Sequence, residues 1–108
     1  MTGNIIVLST CGSLEEAQRI ARELVERRQA ACVNILPAVH SIYRWQGNVE
    51  EASEVLLLAK TQAARYTEVE QSIRELHSYT TPEIVAVPIA KGLPAYLDWI
   101  FGETSALQ

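Results

Sequence analysis

Between Ala30 and Thr61 the chain reads AACVNILPAVHSIYRWQGNVEEASEVLLLAKT, and no other stretch limits the fold so strongly. Ala31 to Leu36 and Val39 to Trp45 are apolar and β-prone, and Glu54 to Ala59 (EVLLLA) reads as a second strand. Gln46-Gly47-Asn48 supplies turn residues, of which glycine and asparagine tolerate positive φ, so the stretch predicts a β-hairpin. Its strands are long: about 14 residues at about 3.3 Å each reach roughly 45 Å. A domain of this length has a radius of gyration of about 13 Å and a body roughly 35 Å across. The hairpin therefore overhangs its own domain, with Ile42, Tyr43, Trp45 and Val49 at its tip. An overhanging arm with an apolar tip predicts docking on another subunit, with Tyr43 and Trp45 as interface anchors.

The rest of the chain alternates around that hairpin. Asn4 to Thr10 (NIIVLST) is a strand, β-branched and apolar in its middle. Ser13 and Glu16 then form an S-x-x-E capping box at the start of a helix. Leu14, Ala17, Ile20, Ala21, Leu24 and Val25 give this helix one apolar stripe, and it is expected to end near Arg28 with basic residues at the negative end of its dipole. Pro37, which has no N–H for a ladder, predicts a bulge in the first hairpin strand. Tyr66, Val69, Ile73 and Leu76 mark a second helix, which His77 to Pro82 breaks because Thr81 precedes a proline. Ile84 to Ile89 (IVAVPI) is a last strand, with Pro88 pointing to a sheet edge. Ala95 to Phe101 forms a short terminal helix, beyond which the last residues are expected to fray. The order β-α-β-β-α-β plus a helix predicts an α+β fold of the ferredoxin-like kind, an antiparallel sheet with two helices on one face. All 108 residues make one domain.

Charge and composition exclude several classes. The net charge is −4 with nine basic residues, and Arg19, Arg22, Arg27 and Arg28 share the first helix with Glu15, Glu16, Glu23 and Glu26. That is a solvated face rather than a footprint for nucleic acid. No apolar run approaches the roughly 20 residues that span a bilayer. The start, Met1-Thr2-Gly3-Asn4, lacks the basic region of a signal peptide, which predicts a cytoplasmic protein with no membrane partner. Cys11 and Cys32 form no C-x-x-C pair. No serine stands at a motif spacing from a histidine and no glycine-rich phosphate loop occurs, which argues against an enzyme.

Several spaced residues together carry a family resemblance. Ala31 to Ile35 (ACVNI), Pro37, Ser41-x-Tyr43-x-Trp45-x-Gly47, Glu54, Lys60-Thr61, His77-x-Tyr79-x-x-Pro82-Glu83 and Tyr96-x-x-Trp99 resemble the CutA family of divalent-cation-tolerance proteins over nearly the whole chain. The resemblance implies a ferredoxin-like subunit, a homotrimer joined through the hairpins, a cytoplasmic setting, and a link to copper and other divalent metals. Two positions depart from the family pattern. Its second signature usually reads His-Pro-Tyr-Glu or His-Pro-Tyr-Gln, whereas this chain has Ser78 and Thr80 in the second and fourth places. Some members also end the first strand in a cysteine where this chain has Ser9; its own thiol is Cys11.

Cys11, His77 and Glu83 are the thiol, imidazole and carboxylate that could together hold copper or zinc. The other reading of these residues is that Cys11 rests at a strand–helix junction and His77 caps a helix. Lys60, Glu54 and Tyr79, with Glu83, are candidates for a polar cluster in a cleft between subunits. His40 reads as a surface or interface residue and Cys32 as a small core hydrophobe. Besides a metal-responsive trimer, the architecture admits a small-ligand sensor resembling the trimeric PII signalling proteins, or a scaffolding trimer without ligand.

Overall fold

The computed structural model describes residues 2–105, so the expected fraying of residues 106–108 lies outside the described residues. The chain runs β1 (Asn4–Cys11), α1 (Leu14–Glu26), β2 (Cys32–Trp45), β3 (Asn48–Gln62), α2 (Tyr66–Leu76), β4 (Val85–Pro88) and α3 (Pro94–Glu103). The four strands form one sheet in the order β2-β3-β1-β4, every neighbouring pair antiparallel. This is the mixed α+β, split βαβ arrangement that the element order predicts.

Strand alternation sorts the sheet into two faces. Ile5, Val7 and Cys11 of β1 and Val55, Leu57 and Ala59 of β3 point one way. There they pack against Ala17, Ile20, Ala21 and Leu24 of α1 and Val69 and Ile73 of α2, making the core. The opposite face is apolar too. The cross-strand pairs Ile6–Val87, Leu8–Val85, Leu8–Leu58, Thr10–Leu56 and Leu36–Leu56 put an apolar side chain in each of the central rows. Only the short α3 reaches that side, where Lys60 Nζ lies 6.0 Å from the Tyr96 ring centroid, and it leaves Leu36, Val85 and Val87 exposed.

The hairpin has the predicted reach: the molecule extends 47 × 26 × 22 Å. Trp45 pairs with Asn48, and the intervening Gln46 and Gly47 have φ of 49° and 84°, the doubly positive pattern of tight hairpin turns. The register between β2 and β3 shifts between Leu36 and Val39, the irregularity that Pro37 predicts. At the tip Ile42, Trp45 and Val49 are 65%, 55% and 64% exposed.

β1 ends at Cys11, β4 is shorter than expected at both ends and α3 longer at both, and two further boundaries differ for a reason the structure shows. β3 starts at Asn48 rather than Glu54, because Val49 to Ser53 pair with the outer half of β2 although both their faces are exposed. Helix α1 stops at Glu26, so Arg27 and Arg28 follow its last turn instead of sitting in it. Arg27 is the C-cap and Arg28 takes φ 57°. The Arg28 N–H bonds the Val25 carbonyl and the Gln29 N–H bonds the Leu24 carbonyl, which is a Schellman stop with arginine in the place that glycine usually takes.

Candidate functional site

Thr10, Glu16 and Glu54, all buried, lie where β1 ends, α1 begins and the α2–β4 connection crosses them. Ser13 has extended backbone and its hydroxyl accepts the Glu16 N–H at 3.2 Å, which starts α1. The reciprocal half of the expected capping box is not made. Glu16 instead turns its carboxylate to the crossing loop, accepting the Ser78 N–H at 2.6 Å and the Ser78 hydroxyl at 3.2 Å. Burial alone would raise the Glu16 pKa. The Ser78 hydrogen bonds, the nearby His77 and the Gly12 N–H outweigh burial and hold it below the ordinary glutamate value. A proline at position 78, as in the family signature, has no N–H to offer this carboxylate.

His77 caps α2 and is occupied at both ring nitrogens. Nε2 lies 2.7 Å from the Thr10 carbonyl and Nδ1 accepts the Tyr79 N–H at 3.0 Å, so the ring proton resides on Nε2. Glu16 Oε2 is 3.8 Å from Nδ1. The imidazole therefore ties the loop to the end of β1, and its ring packs against that of Tyr79 with centroids 4.6 Å apart. Tyr79 reaches past Gly12 to donate its hydroxyl to Glu54 Oε2 at 3.0 Å. A Cβ on residue 12 would come within 3.3 Å of that hydroxyl, so glycine makes the passage. Burial, then the hydrogen bond to Glu54 and its charge, push the tyrosine pKa up to about 12 and keep it a proton donor.

Cys11 continues β1 onto the helix-facing side and is fully buried. Burial first, then the Glu16 and Glu54 carboxylates, push its thiol pKa up to about 11 against a partial offset from Arg19. A soft metal takes the thiolate form. Here the thiol is neutral, the histidine nitrogens are spent on backbone groups, and among the described residues no three His, Cys, Asp or Glu side chains gather as a ligand set. The expected Cys11–His77–Glu83 copper or zinc site is thus not assembled within the subunit.

Glu83 opens instead into a cleft of about 620 Å³ beside the hairpin, which Thr10, Tyr43, Trp45, Glu54 and Tyr79 also line. Glu54 and Tyr79 meet there within one chain, but Lys60 does not join them. It stands six residues along β3 from Glu54 and donates to Asn34 Oδ1. His40, on the hairpin, pairs with Glu51 at 2.8 Å in an exposed bridge. Cys32 is half-buried beside Asn34 rather than in the core. The residues that sequence reasoning missed are Glu16 and Ser78. The first was legible only as a helix cap, and the second only as a departure from a motif.

A family model described as CutA1 divalent ion tolerance protein matches residues 5–103. The divalent-cation tolerance protein CutA of Thermus thermophilus is 54% identical over 95 residues, 88% of this chain and 92% of that protein. The Archaeoglobus fulgidus protein of the same description is 48% identical over 91 residues, 84% and 88% of the two chains. Among solved structures, the divalent cation tolerance protein of Thermus thermophilus superposes with a TM-score of 0.92 at 51% identity, over 94% of this chain and 99% of that one. CutA of Xylella fastidiosa gives 0.93 at 43% identity, over 95% and 99%.

Proposed function

The chain belongs to the CutA1 divalent ion tolerance family, and we propose that it serves that tolerance as a homotrimer joined through its hairpin arms and the uncovered face of its sheet. One observation carries the reading: the sheet is apolar on both faces, yet α1 and α2 cover only one. Antiparallel sheets with one solvated face keep that face polar. Ile6, Leu8, Leu36, Leu56, Leu58, Val85 and Val87 therefore call for a second layer, and the tip residues Ile42, Tyr43, Trp45 and Val49 extend the same demand along the arm. The number three comes from the family resemblance.

The role is read as non-catalytic. His77 is held by backbone groups and His40 by Glu51, so neither histidine faces a nucleophile. Copper held by Cys11, His77 and Glu83 of one subunit is not part of the reading. A cytoplasmic place of work agrees with Cys11 and Cys32 both being free thiols. No described helix is long and apolar enough to cross a membrane.

Light scattering tests the assembly. The expected mass is three times 12.0 kDa at micromolar concentration. Trp45→Ala should shift the equilibrium toward smaller species, since truncating a buried indole costs about 3–5 kcal/mol. A stable monomer or dimer of the parent protein, or a Trp45→Ala variant of unchanged mass and melting temperature, would sink the reading.

A further inference from the structure

Alternation along β3 puts Glu54, Leu56, Leu58 and Lys60 on the face of the sheet that α1 and α2 leave bare. This stripe is apolar in its middle and carries an acid at one end and a base at the other. Neither charge is balanced within the subunit. Glu54 is 8% exposed, and the neutral Tyr79 hydroxyl donates to one of its carboxylate oxygens. The cleft around it has no basic lining residue. Lys60 is half-buried, donates to the Asn34 amide oxygen and lies 6.0 Å from the Tyr96 ring centroid. Among the described residues no ion pair includes either one. They cannot meet in one chain, since six residues of strand at about 3.3 Å each hold them roughly 20 Å apart. The other basic strand residues, His40 and Arg44, stand opposite Ser53 and Val49 on the other face, and His40 is already paired with Glu51.

A second layer over Leu56 and Leu58 takes both ends of the stripe out of water, and a charge buried without a partner is costly. Resting on the reading of the bare face as the assembly surface, we propose that Lys60 of one copy seats on Glu54 of the next. The cleft beside the hairpin is then completed by a second copy of this chain rather than by a small ligand. Each copy offers both halves of the contact, which suits a head-to-tail ring. Tyr43 and Trp45 line the Glu54 end, so docking of the arm and neutralisation of the carboxylate fall at one contact. The pair also supplies what apolar packing lacks. Leucine rows tolerate sliding, whereas a shift of one copy against the next leaves both charges unpaired, so the ends of the stripe fix the register.

A double-substitution cycle on the intact protein, read by melting temperature and light scattering, tests the pair. Changes at sites this far apart in one chain are additive, so any coupling between Glu54 and Lys60 must cross between copies. Glu54→Gln and Lys60→Met should each lower the melting temperature, and the double variant should melt no lower than the more damaged single one. Lys60→Glu, at a half-exposed position where the subunit fold is not in question, sets acid against acid and should shift the mass toward smaller species. Arg74→Glu, exposed on α2, should keep the mass and melting temperature of the parent. Losses that add in the double variant overturn the proposal, as does a Lys60→Glu protein with the parent's mass and melting temperature. A monomeric parent would overturn the assembly as well, whereas an assembled parent with additive losses overturns the pair alone.

Discussion

At the scale of single residues, the site is organised by a buried carboxylate that ties two segments together. Glu16 accepts both the N–H and the hydroxyl of Ser78, and so fastens the α2–β4 connection to the first turn of α1. Its folded pKa lies below the unfolded value, so its contribution to stability is present above about 4.3 and is lost as pH falls through the folded value. Ser78→Pro removes both donors and should cost about 1.5–3 kcal/mol, the usual worth of hydrogen bonds to a charged group. The loss should appear as a lower urea midpoint at neutral pH. The acid decline should also be shallower than in the parent protein, because Glu16 without its donors is left with the upward push of burial, and a carboxyl whose folded pKa is not depressed loses no stability as pH falls. An unchanged acid profile would mean that water replaces Ser78 at no cost. None of this was legible in the sequence. Ser13-x-x-Glu16 is a sound capping signal, and the Ser13 half of it is made. Whether a glutamate three residues into a helix turns back to its cap or across to another loop depends on what passes nearby, and tertiary contacts alone decide that. The same holds for Cys11 and His77, whose imidazole bonds the carbonyl of the neighbouring Thr10. Their residue types suggest ligands, but a buried thiol stays protonated and both imidazole nitrogens go to backbone partners.

At the scale of elements, local chemistry was mostly sufficient. The Tyr66–Leu76 helix falls where its three- and four-residue spacing places it, and Pro37 breaks the β2–β3 register where a residue without an N–H must. The outer half of β3 was hidden because Val49-Glu50-Glu51-Ala52-Ser53 has no buried face to impress an alternation on the sequence. Its strand character comes from the partner strand, held in register by the two-residue turn. That turn is built with a residue poorly suited to it. Gln46 has φ 49°, where a Cβ crowds the following carbonyl, and asparagine tolerates this region far better. Gln46→Asn, giving Asn-Gly, should therefore stabilise the hairpin by about 0.5–1 kcal/mol. Calorimetry would read this as a higher melting temperature with unchanged mass. A lower melting temperature would mean that the glutamine side chain makes a contact in the assembled protein that outweighs its backbone strain.

At the scale of the whole molecule, adjacent residues of β3 separate folding from assembly. Leu57 is 1% exposed and faces α1 and α2, whereas Leu58 pairs with Leu8 of β1 and Asn34 of β2 on the face that those helices leave bare. One step along a strand moves a side chain to the other side of the sheet, so two leucines that are neighbours in sequence report on different interfaces. Leu57→Ala leaves a cavity in a closed core and should cost about 2–5 kcal/mol of subunit stability. Its effect should persist at every protein concentration. Leu58→Arg puts a charge on a surface that a single subunit leaves half open, so an isolated subunit should tolerate it as an arginine with its stem on apolar neighbours. A second layer docked there would bury the guanidinium without a partner and should be expelled. The expected outcome is a Leu58→Arg protein with native far-UV circular dichroism, the mass of a smaller species in light scattering, and a melting temperature lower than the parent's that no longer depends on concentration. If Leu58→Arg keeps the mass and melting temperature of the parent, the bare face is not the assembly surface. The apolar rows Ile6–Val87 and Leu8–Val85 would then need another explanation.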